Sequence, residues 1–452
     1  MREMKDSGVV SIGMIPVEWK AIKLKFLFGD GNEGLKIGPF GSAMKGKTLE
    51  SGEYKIYNQA HLINNDFSLN RHFVSEETFQ ELRNYEVKPG DVLFSMMGTI
   101  GKCRIMPEGY PKGIMDSHLL KAGLNLNIVH PQYFVYAYDK DYSSQVIEQL
   151  LYSSNGTIMN GLNSTILKNV KIAMPYSLGM QRKIVNYLDT KCSKIDEIIE
   201  KQQVIIEKLK EYKLSTITEV VTSGLNQKRE MKDSHVLSIG RIPTNWDVTK
   251  LKFLFGNGDD GLKIGPFGSA IKGKTLESGL YKIYNQAHLI NNDFSLNRHY
   301  VSEDTFNDLK AYEVKPGDVL FSMMGTIGKC QIMPKGYPKG IMDSHLLKAR
   351  LNEKVIPEFF IYAYDKDFSN QVIQQLLYTS NGTIMNGLNS TILKNVYIAL
   401  PPLEEQEEIV EFLNKFTKNI DDRIGVKTKI VEKLQEYKKS LIYEVVTGKK
   451  EV

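Results

Sequence analysis

Four clusters of polar side chains carry whatever chemistry this sequence can do. Lys36, Ser42, Lys45, Lys47, Asn58, Gln59 and His61 form the first, and Ser95, Thr99 and Lys102 the second. Ser117 and His118 form the third, and Asn155, Thr157, Asn160, Asn163 and Ser164 the fourth. Each returns later in the chain, as Lys263, Lys272, Lys274, Asn285, Gln286 and His288, then Ser322, Thr326 and Lys329, then Ser344 and His345, then Asn381, Thr383 and Asn386. Asn and Gln can pair bidentately with adenine, and Lys meets guanine edges or phosphates. Phe40, Tyr54 and Tyr57 interleave with the first cluster. Taken singly, each residue fits a turn former or a solvated surface group better than a base contact. The return of the whole set improves the odds for nucleic acid, although wholesale copying preserves turns as well.

Catalysis finds less support. Gly98-Thr-Ile-Gly-Lys102 looks like half a phosphate loop, but Met96 and Cys103 stand where Gly and Ser or Thr are needed. His61, His72 and His118 have no HExxH or CxxC company, so structural or groove-facing histidines are favoured over metal ligands. No GxSxG elbow and no strand-borne GxGxxG is present. The Asn-Pro-Pro-Tyr type of tetrad with which amino-methylating DNA enzymes hold a flipped base is missing too; Pro401-Pro402 lies between Leu400 and Leu403. The three cysteines, Cys103, Cys192 and Cys330, make no CxxC pair, which points to a reducing compartment. The start has no apolar signal region, and no apolar run reaches the ~18 residues of a membrane span, so a cytoplasmic protein is expected. A net charge of +5 over 452 residues does not by itself demand a nucleic-acid partner.

The elements that must position the clusters come from a tandem duplication. Met4-Lys-Asp-Ser returns at Met231, and Ile15-Pro with Trp19 at Ile242-Pro with Trp246. Later losses of one residue each place Asn155 opposite Asn381 and Gln181 opposite Gln406. Residues 34–121 and 261–348 differ at 10 of 88 positions, whereas 181–222 and 406–447 share only 20 of 42. Within each copy a mixed region with short strands, such as Lys55-Ile-Tyr and Asp91-Val-Leu-Phe-Ser-Met, precedes a long helix. Pro131 to Leu151 reads as one helix, with Phe134, Tyr138, Val146 and Leu150 on helical spacing. In the long helices, Ile195, Ile198, Gln202, Ile205, Leu209, Tyr212 and Thr216 step by three and four, as do Ile420, Lys427, Ile430, Leu434, Tyr437 and Leu441. Such a stripe needs a partner. Each copy supplies one for the other, with packing of each helix on its own domain as the alternative.

The chain closely resembles the specificity subunit of type I restriction–modification enzymes. The motifs that carry this are Ile15-Pro with Trp19, Gly38-Pro-Phe-Gly-Ser, Lys88-Pro-Gly-Asp-Val-Leu, Gly98-Thr-Ile-Gly-Lys and Asn155-Gly-Thr. The most specific is Ile398-Ala-Leu-Pro-Pro-Leu-Glu-Glu-Gln-Glu-Glu-Ile-Val with Leu413, of which Met174-Pro-Tyr-Ser-Leu-Gly-Met-Gln-Arg-Lys-Ile-Val is a degraded form. The resemblance implies an α+β fold. Two mixed α/β target-recognition domains (1–178 and 228–403) are separated by two helical spacer regions (179–227 and 404–452), paired as an antiparallel coiled coil with pseudo-twofold symmetry. Ile195, Ile205, Leu209 and Tyr212 would pair with Ile420, Ile430, Leu434 and Tyr437. It implies a non-catalytic subunit that binds double-stranded DNA, two methyltransferase subunits and restriction–translocase subunits. It also implies no cofactor on this chain, with S-adenosylmethionine in the methyltransferase and ATP and Mg in the motor–nuclease. A stand-alone DNA-binding protein and a coiled-coil scaffold are the alternatives. Family members usually carry two dissimilar recognition domains. The near-identity here predicts one half-site read twice, on opposite strands.

Overall fold

A computed structural model describes all residues except 1, 31–33, 70, 71, 154–161, 227, 297, 298 and 380–387. The chain divides into two units, Met1–Gln203 with Lys429–Val452, and Val204–Thr428.

In the first unit the strands Lys36–Ile37, Leu119–Ala122, Val92–Ser95 and Cys103–Ile105 lie in that order in one antiparallel sheet. A second sheet runs Phe73–Val74, Tyr54–Tyr57, Gly113–Met115 and Glu86–Val87, its two central strands parallel. Trp19–Lys23 pairs with Lys171–Pro175 and closes the domain just before the first long helix, Leu178–Ser223. Val92–Ser95 is buried at every position, which is why it reads as a continuous apolar run rather than an alternating one. The second unit repeats this plan, with Lys263–Ile264, Leu346–Arg350, Asp318–Ser322 and Cys330–Ile332 in the sheet that corresponds to the first. The second long helix is Leu403–Val446. At 1.5 Å per residue these helices of 46 and 44 residues run roughly 69 and 66 Å. Among the described residues no helix is long and apolar enough to cross a membrane.

The expected helix from Pro131 to Leu151 is two helices, Pro131–Tyr138 and one beginning at Ile147. Asp139 breaks it. Its backbone is extended, and its buried carboxylate accepts from the backbone N–H of Cys103 at 2.7 Å and from Arg104 at 2.6 Å. Continuing the helix would have removed the carboxylate from those donors.

A buried glutamine fixes each long helix to the domain before it. Gln181 accepts from the N–H of His130 at 2.8 Å and donates to the carbonyls of Ile128 and Pro175. Gln406 does the same with Ile356, Lys354 and Pro401. The far ends are buried as well. In the first unit Leu441, Ile442, Val445 and Val446 join one core with Trp19, Tyr133 and Phe134. In the second, Ile217, Val220 and Val221 join Trp246, Phe359, Ile409 and Leu413.

The helix stripe is rotated from the expected one. Ile195 and Ile420 are buried, and Leu209, Ile430 and Leu434 half-buried, but Ile205 (38% exposed), Tyr212 (56%) and Tyr437 (52%) face outward. The less exposed faces instead step through Ile199, Gln202, Ile206, Leu209 and Lys213, and through Thr417, Ile420, Ile424, Lys427, Val431, Leu434 and Lys438. Every seventh position agrees, and those between shift by one residue.

Because the last helical turns complete the core of the first unit, Leu441→Ala is expected to cost about 2–5 kcal/mol. Hydrogen exchange checks it. Amides within 1–203 should lose protection, and those of the second unit should keep theirs.

Candidate nucleic-acid interface

The surface that gathers the exposed members of the polar clusters is built on three loops. Asn58 caps the short helix Gln59–Asn64: its side chain accepts from the N–H of Ala60, and the His61 ring accepts from the N–H of Asn58. Gln59 then reaches across to the next sheet, where its Nε2 donates to Ser95 Oγ at 3.0 Å and to the carbonyl of Met97 at 2.7 Å. Ser95 Oγ in turn lies 2.6 Å from Thr99 Oγ1. This holds the loop from Met96 to Gly101 in a tight form that needs positive φ at Gly98 and Gly101.

The third loop carries Ser117 and His118. Asp116 accepts from the N–H of His118 at 2.9 Å, with the imidazole 3.3 Å from its other oxygen. Burial pushes the Asp116 carboxyl up, and the hydrogen bonds from His118 pull it back. Against this loop lies Gly38-Pro-Phe40. The N–H of Gly38 donates to the carbonyl of Leu119 at 2.9 Å, and a Cβ at Gly38 would overlap the carbonyl of Asp116. Only glycine allows that approach. It leaves Phe40 at the tip, 86% exposed; His118 and Met97 on the neighbouring loops are about half exposed. The second copy has the same arrangement: Gln286 on Ser322 and Met324, Gly265 against Asp343, and Phe267 87% exposed.

The structure sorts the residues singled out from sequence. Lys45, Lys272, Lys274, His118 and His345 are exposed, and Lys36, Lys263, Gln59, Gln286, Thr99, Thr326, Ser117 and Ser344 half-buried. Lys47 is exposed and pairs with Glu81. Others are scaffold. His61 and His288 are fully buried and complete helix caps with Asn58 and Asn285. Ser95 and Ser322 are fully buried too. Lys102, expected as a phosphate or guanine contact, is buried and paired with Asp141, and Lys329 is buried with Asp367 at 2.6 Å and Asp365 at 3.5 Å. An ammonium held this way is spent on its own domain. Tyr57 and Tyr54 also leave the interface: one is buried and donates to the carbonyl of Pro111, the other stacks on Phe79. Asn163 caps the helix Ser164–Asn169. Asn155, Thr157, Asn160, Asn381, Thr383 and Asn386 lie outside the described residues. Sequence reasoning passed over Met97 and Met324. Their signal was the Met-Met-Gly run after a buried strand, where a loop leaves the sheet. Among the described residues no group of three or more His, Cys, Asp or Glu is gathered as a metal site.

The model of the type I restriction modification DNA specificity domain matches residues 30–211 and again 262–433. The chain belongs to this family. It is 27% identical over 350 residues to the type I restriction enzyme MjaVIII specificity subunit of Methanocaldococcus jannaschii, spanning 75% of this chain and 74% of that one. It is 23% identical over 268 residues to the EcoBI specificity subunit of Escherichia coli, spanning 57% and 54%. A chain solved in work on complex assembly and conformational transition of the type I R-M system superposes with a TM-score of 0.68 at 15% identity, covering 96% of this chain and 98% of that one. That likeness is one of fold. Each specificity-domain match takes in the three loops together with much of the long helix that follows, so the unit of the family is a loop-bearing domain with its helix.

In this specificity domain the arm depends on the glycine before it. Gly38→Ala is expected to free residues 36–47 from the Asp116 loop at a cost of about 1–3 kcal/mol. Limited proteolysis and hydrogen exchange should find faster opening there and an unchanged counterpart at 263–274.

Proposed function

We propose that this chain is the sequence-reading subunit of a type I restriction–modification complex, binding a split site in double-stranded DNA and positioning partner enzymes on it. The observation that carries this is the family match falling twice, once on each copy. The catalytic steps are assigned to partners: two methyltransferase subunits with S-adenosylmethionine, and restriction–translocase subunits with ATP and Mg. This chain reads and places, and the three loops around Gln59, Met97, His118 and Phe40 are its reading face, with their counterparts in the second copy.

The two domains read the same half-site. Their ten differences in the main block avoid the reading face. Glu77, Gln80, Glu81, Arg83 and Asn84 are exposed and have drifted to Asp304, Asn307, Asp308, Lys310 and Ala311. Phe40, Lys45, Met97 and His118 are exposed too and stand unchanged as Phe267, Lys272, Met324 and His345.

The long helices pair as an antiparallel coiled coil. Two ion pairs support this, one inside each unit: Lys213 with Asp421 at 2.7 Å, and Lys438 with Asp196 at 2.6 Å. The two residue numbers of each pair add to the same total, the signature of an antiparallel register. The shift that carries Gln181 onto Gln406 also carries Lys213 onto Lys438 and Asp196 onto Asp421. Duplication thus turns one pair into the other, as a twofold relation requires. Being largely exposed on the acid side, such pairs select register more than they add stability.

A twofold reader matches a twofold duplex, so the two half-sites are inverted repeats around an unread spacer. Methylome sequencing of cells carrying the chain with its methyltransferase tests this. One short sequence should appear on opposite strands, with a methylated adenine in each half. Two unrelated halves would refute the equivalence of the domains, and a direct repeat would refute the antiparallel helices.

A further inference from the structure

The second domain holds a basic cleft that the reading face does not use. Its volume is about 310 Å³, and Lys263, Lys310, Lys315 and Lys348 line it, with Glu313 the one carboxylate. Lys310 and Lys315 are exposed, Lys263 is half-buried, and Lys348 is 7% exposed. The Lys348 ammonium donates to the backbone carbonyl of Glu313. Its acid partner is only loosely engaged: Asp318 Oδ2 stands 3.6 Å away, while Arg350 holds the other oxygen of that carboxylate at 2.9 Å. Burial pulls the Lys348 ammonium below its usual range; Asp318 opposes this, and Lys263 and Lys315 press it further down. Lys310 and Lys315 enter no ion pair among the described residues, and Asp318 is divided between Lys348 and Arg350, so the cleft carries an excess of positive charge that an anion would relieve.

The first domain has the same basic set in Lys36, Arg83, Lys88 and Lys121, but differs at one telling place. Gly123 stands where the second copy has Arg350, and there Asp91 pairs with Lys121 at 3.0 Å. Arg350 therefore draws the neutralising carboxylate off the buried lysine in the second copy alone.

We propose that this cleft binds a phosphate group, supplied in the working protein by the DNA backbone beside the second reading face, and that the second domain grips the backbone more strongly than the first. The proposal rests on the DNA-reading function above. The link to that face is direct. Lys263 lies two residues before Gly265, the glycine that seats the Phe267 arm. A phosphate in the cleft would carry no base information, but it would fix the register of the duplex against the loops.

The test uses the full-length chain with its methyltransferase subunits, and duplexes with and without the methylated motif, across a salt series. Lys310→Ala with Lys315→Ala removes two exposed ammonium groups and should leave thermal melting unchanged. Affinity should fall by the same factor on both duplexes, and the slope of log K against log salt should lessen by about one for the phosphate no longer neutralised. Lys310→Arg, which restores the residue type of the first copy, should keep the slope. Arg350→Gly removes no cleft lysine and should weaken both duplexes alike, whereas Lys88→Ala with Arg83→Ala in the first domain should have a smaller effect. An unchanged salt slope in the double variant, with wild-type protein that binds DNA, overturns the DNA backbone as the ligand of the cleft and leaves the reading function standing. Wild-type protein that shows no preference for its motif overturns the reading function, and calorimetry with inorganic phosphate then decides the cleft on its own. If the double variant abolishes phosphate or ATP binding without changing the DNA slope, the backbone is overturned as the source.

Discussion

The structure depends on the burial of each long helix's last turns in a domain core. In the first unit Gly448, with φ of +71°, ends the second helix directly against Pro16 and Trp19, where a Cβ would collide. In the second, Gly224, with φ of +76°, ends the first helix against Trp246 and Glu405. A left-handed glycine is the usual way to stop a helix, and here it also lets the backbone approach an indole. Tyr133 adds a hydrogen bond to the carbonyl of Val446 at 3.1 Å, a C-terminal helix carbonyl that would otherwise need another partner. The core of the first unit is therefore completed by Leu441, Ile442, Val445 and Val446. This core joins residues several hundred positions apart in the chain, a non-local closure that slows folding.

Beginnings and ends of the helices are held by different chemistry. At the start, Gln181 and Gln406 use a fully buried carboxamide to bind three backbone groups each, so direction is set by hydrogen-bond geometry. At the end the hold is largely apolar, with Ile217, Val220 and Val221 in one unit matched by Ile442, Val445 and Val446 in the other. The surroundings of the two buried indoles differ more. Trp246 donates its indole N–H to Glu405 at 2.9 Å, but Met180 occupies the matching place in the first copy, and the Trp19 N–H has no partner among the described residues. A buried donor without an acceptor costs about 1–3 kcal/mol, and the first unit carries it. The buried charges differ likewise. Arg104 pairs with Asp139 in one domain, whereas Gln331 stands in its place in the other and Lys329 turns to Asp365.

What the sequence made legible was the architecture: the duplication, the long helices and the loops that matter. The helix face was misread by one position for a specific reason. Ile198-Ile199, Ile205-Ile206 and Tyr212-Lys213 each offer two candidates for one seam position, and the apolar choice at 212 loses to a lysine whose stem packs while its ammonium reaches Asp421. The polar clusters were harder. Asn58 and His61 have the residue types of base contacts, yet Asn before a short helix is equally a cap, and the cap prevailed. Lys102 looked like a phosphate ligand because Asp141, its partner, is 39 residues away in the chain. Burial decides between such readings, and spacing in one copy does not report burial.

The comparison of the two copies supplies part of that missing information. A substitution tolerated on an exposed helix such as Glu76–Glu81 shows that exposure alone does not hold a residue fixed. Exposed Phe40, Lys45, Met97 and His118 stand unchanged beside such drift, as the proposed reading of one half-site by both copies requires. The backbone cleft is the instructive exception: its cations are kept in number, but Arg83 has become Lys310 and Gly123 has become Arg350. Contacts to a phosphate require charge rather than a given donor pattern, so they can drift and strengthen on one side. Contacts that read a base cannot. A duplicated reader is thus free to become unequal in grip while it stays equal in what it reads.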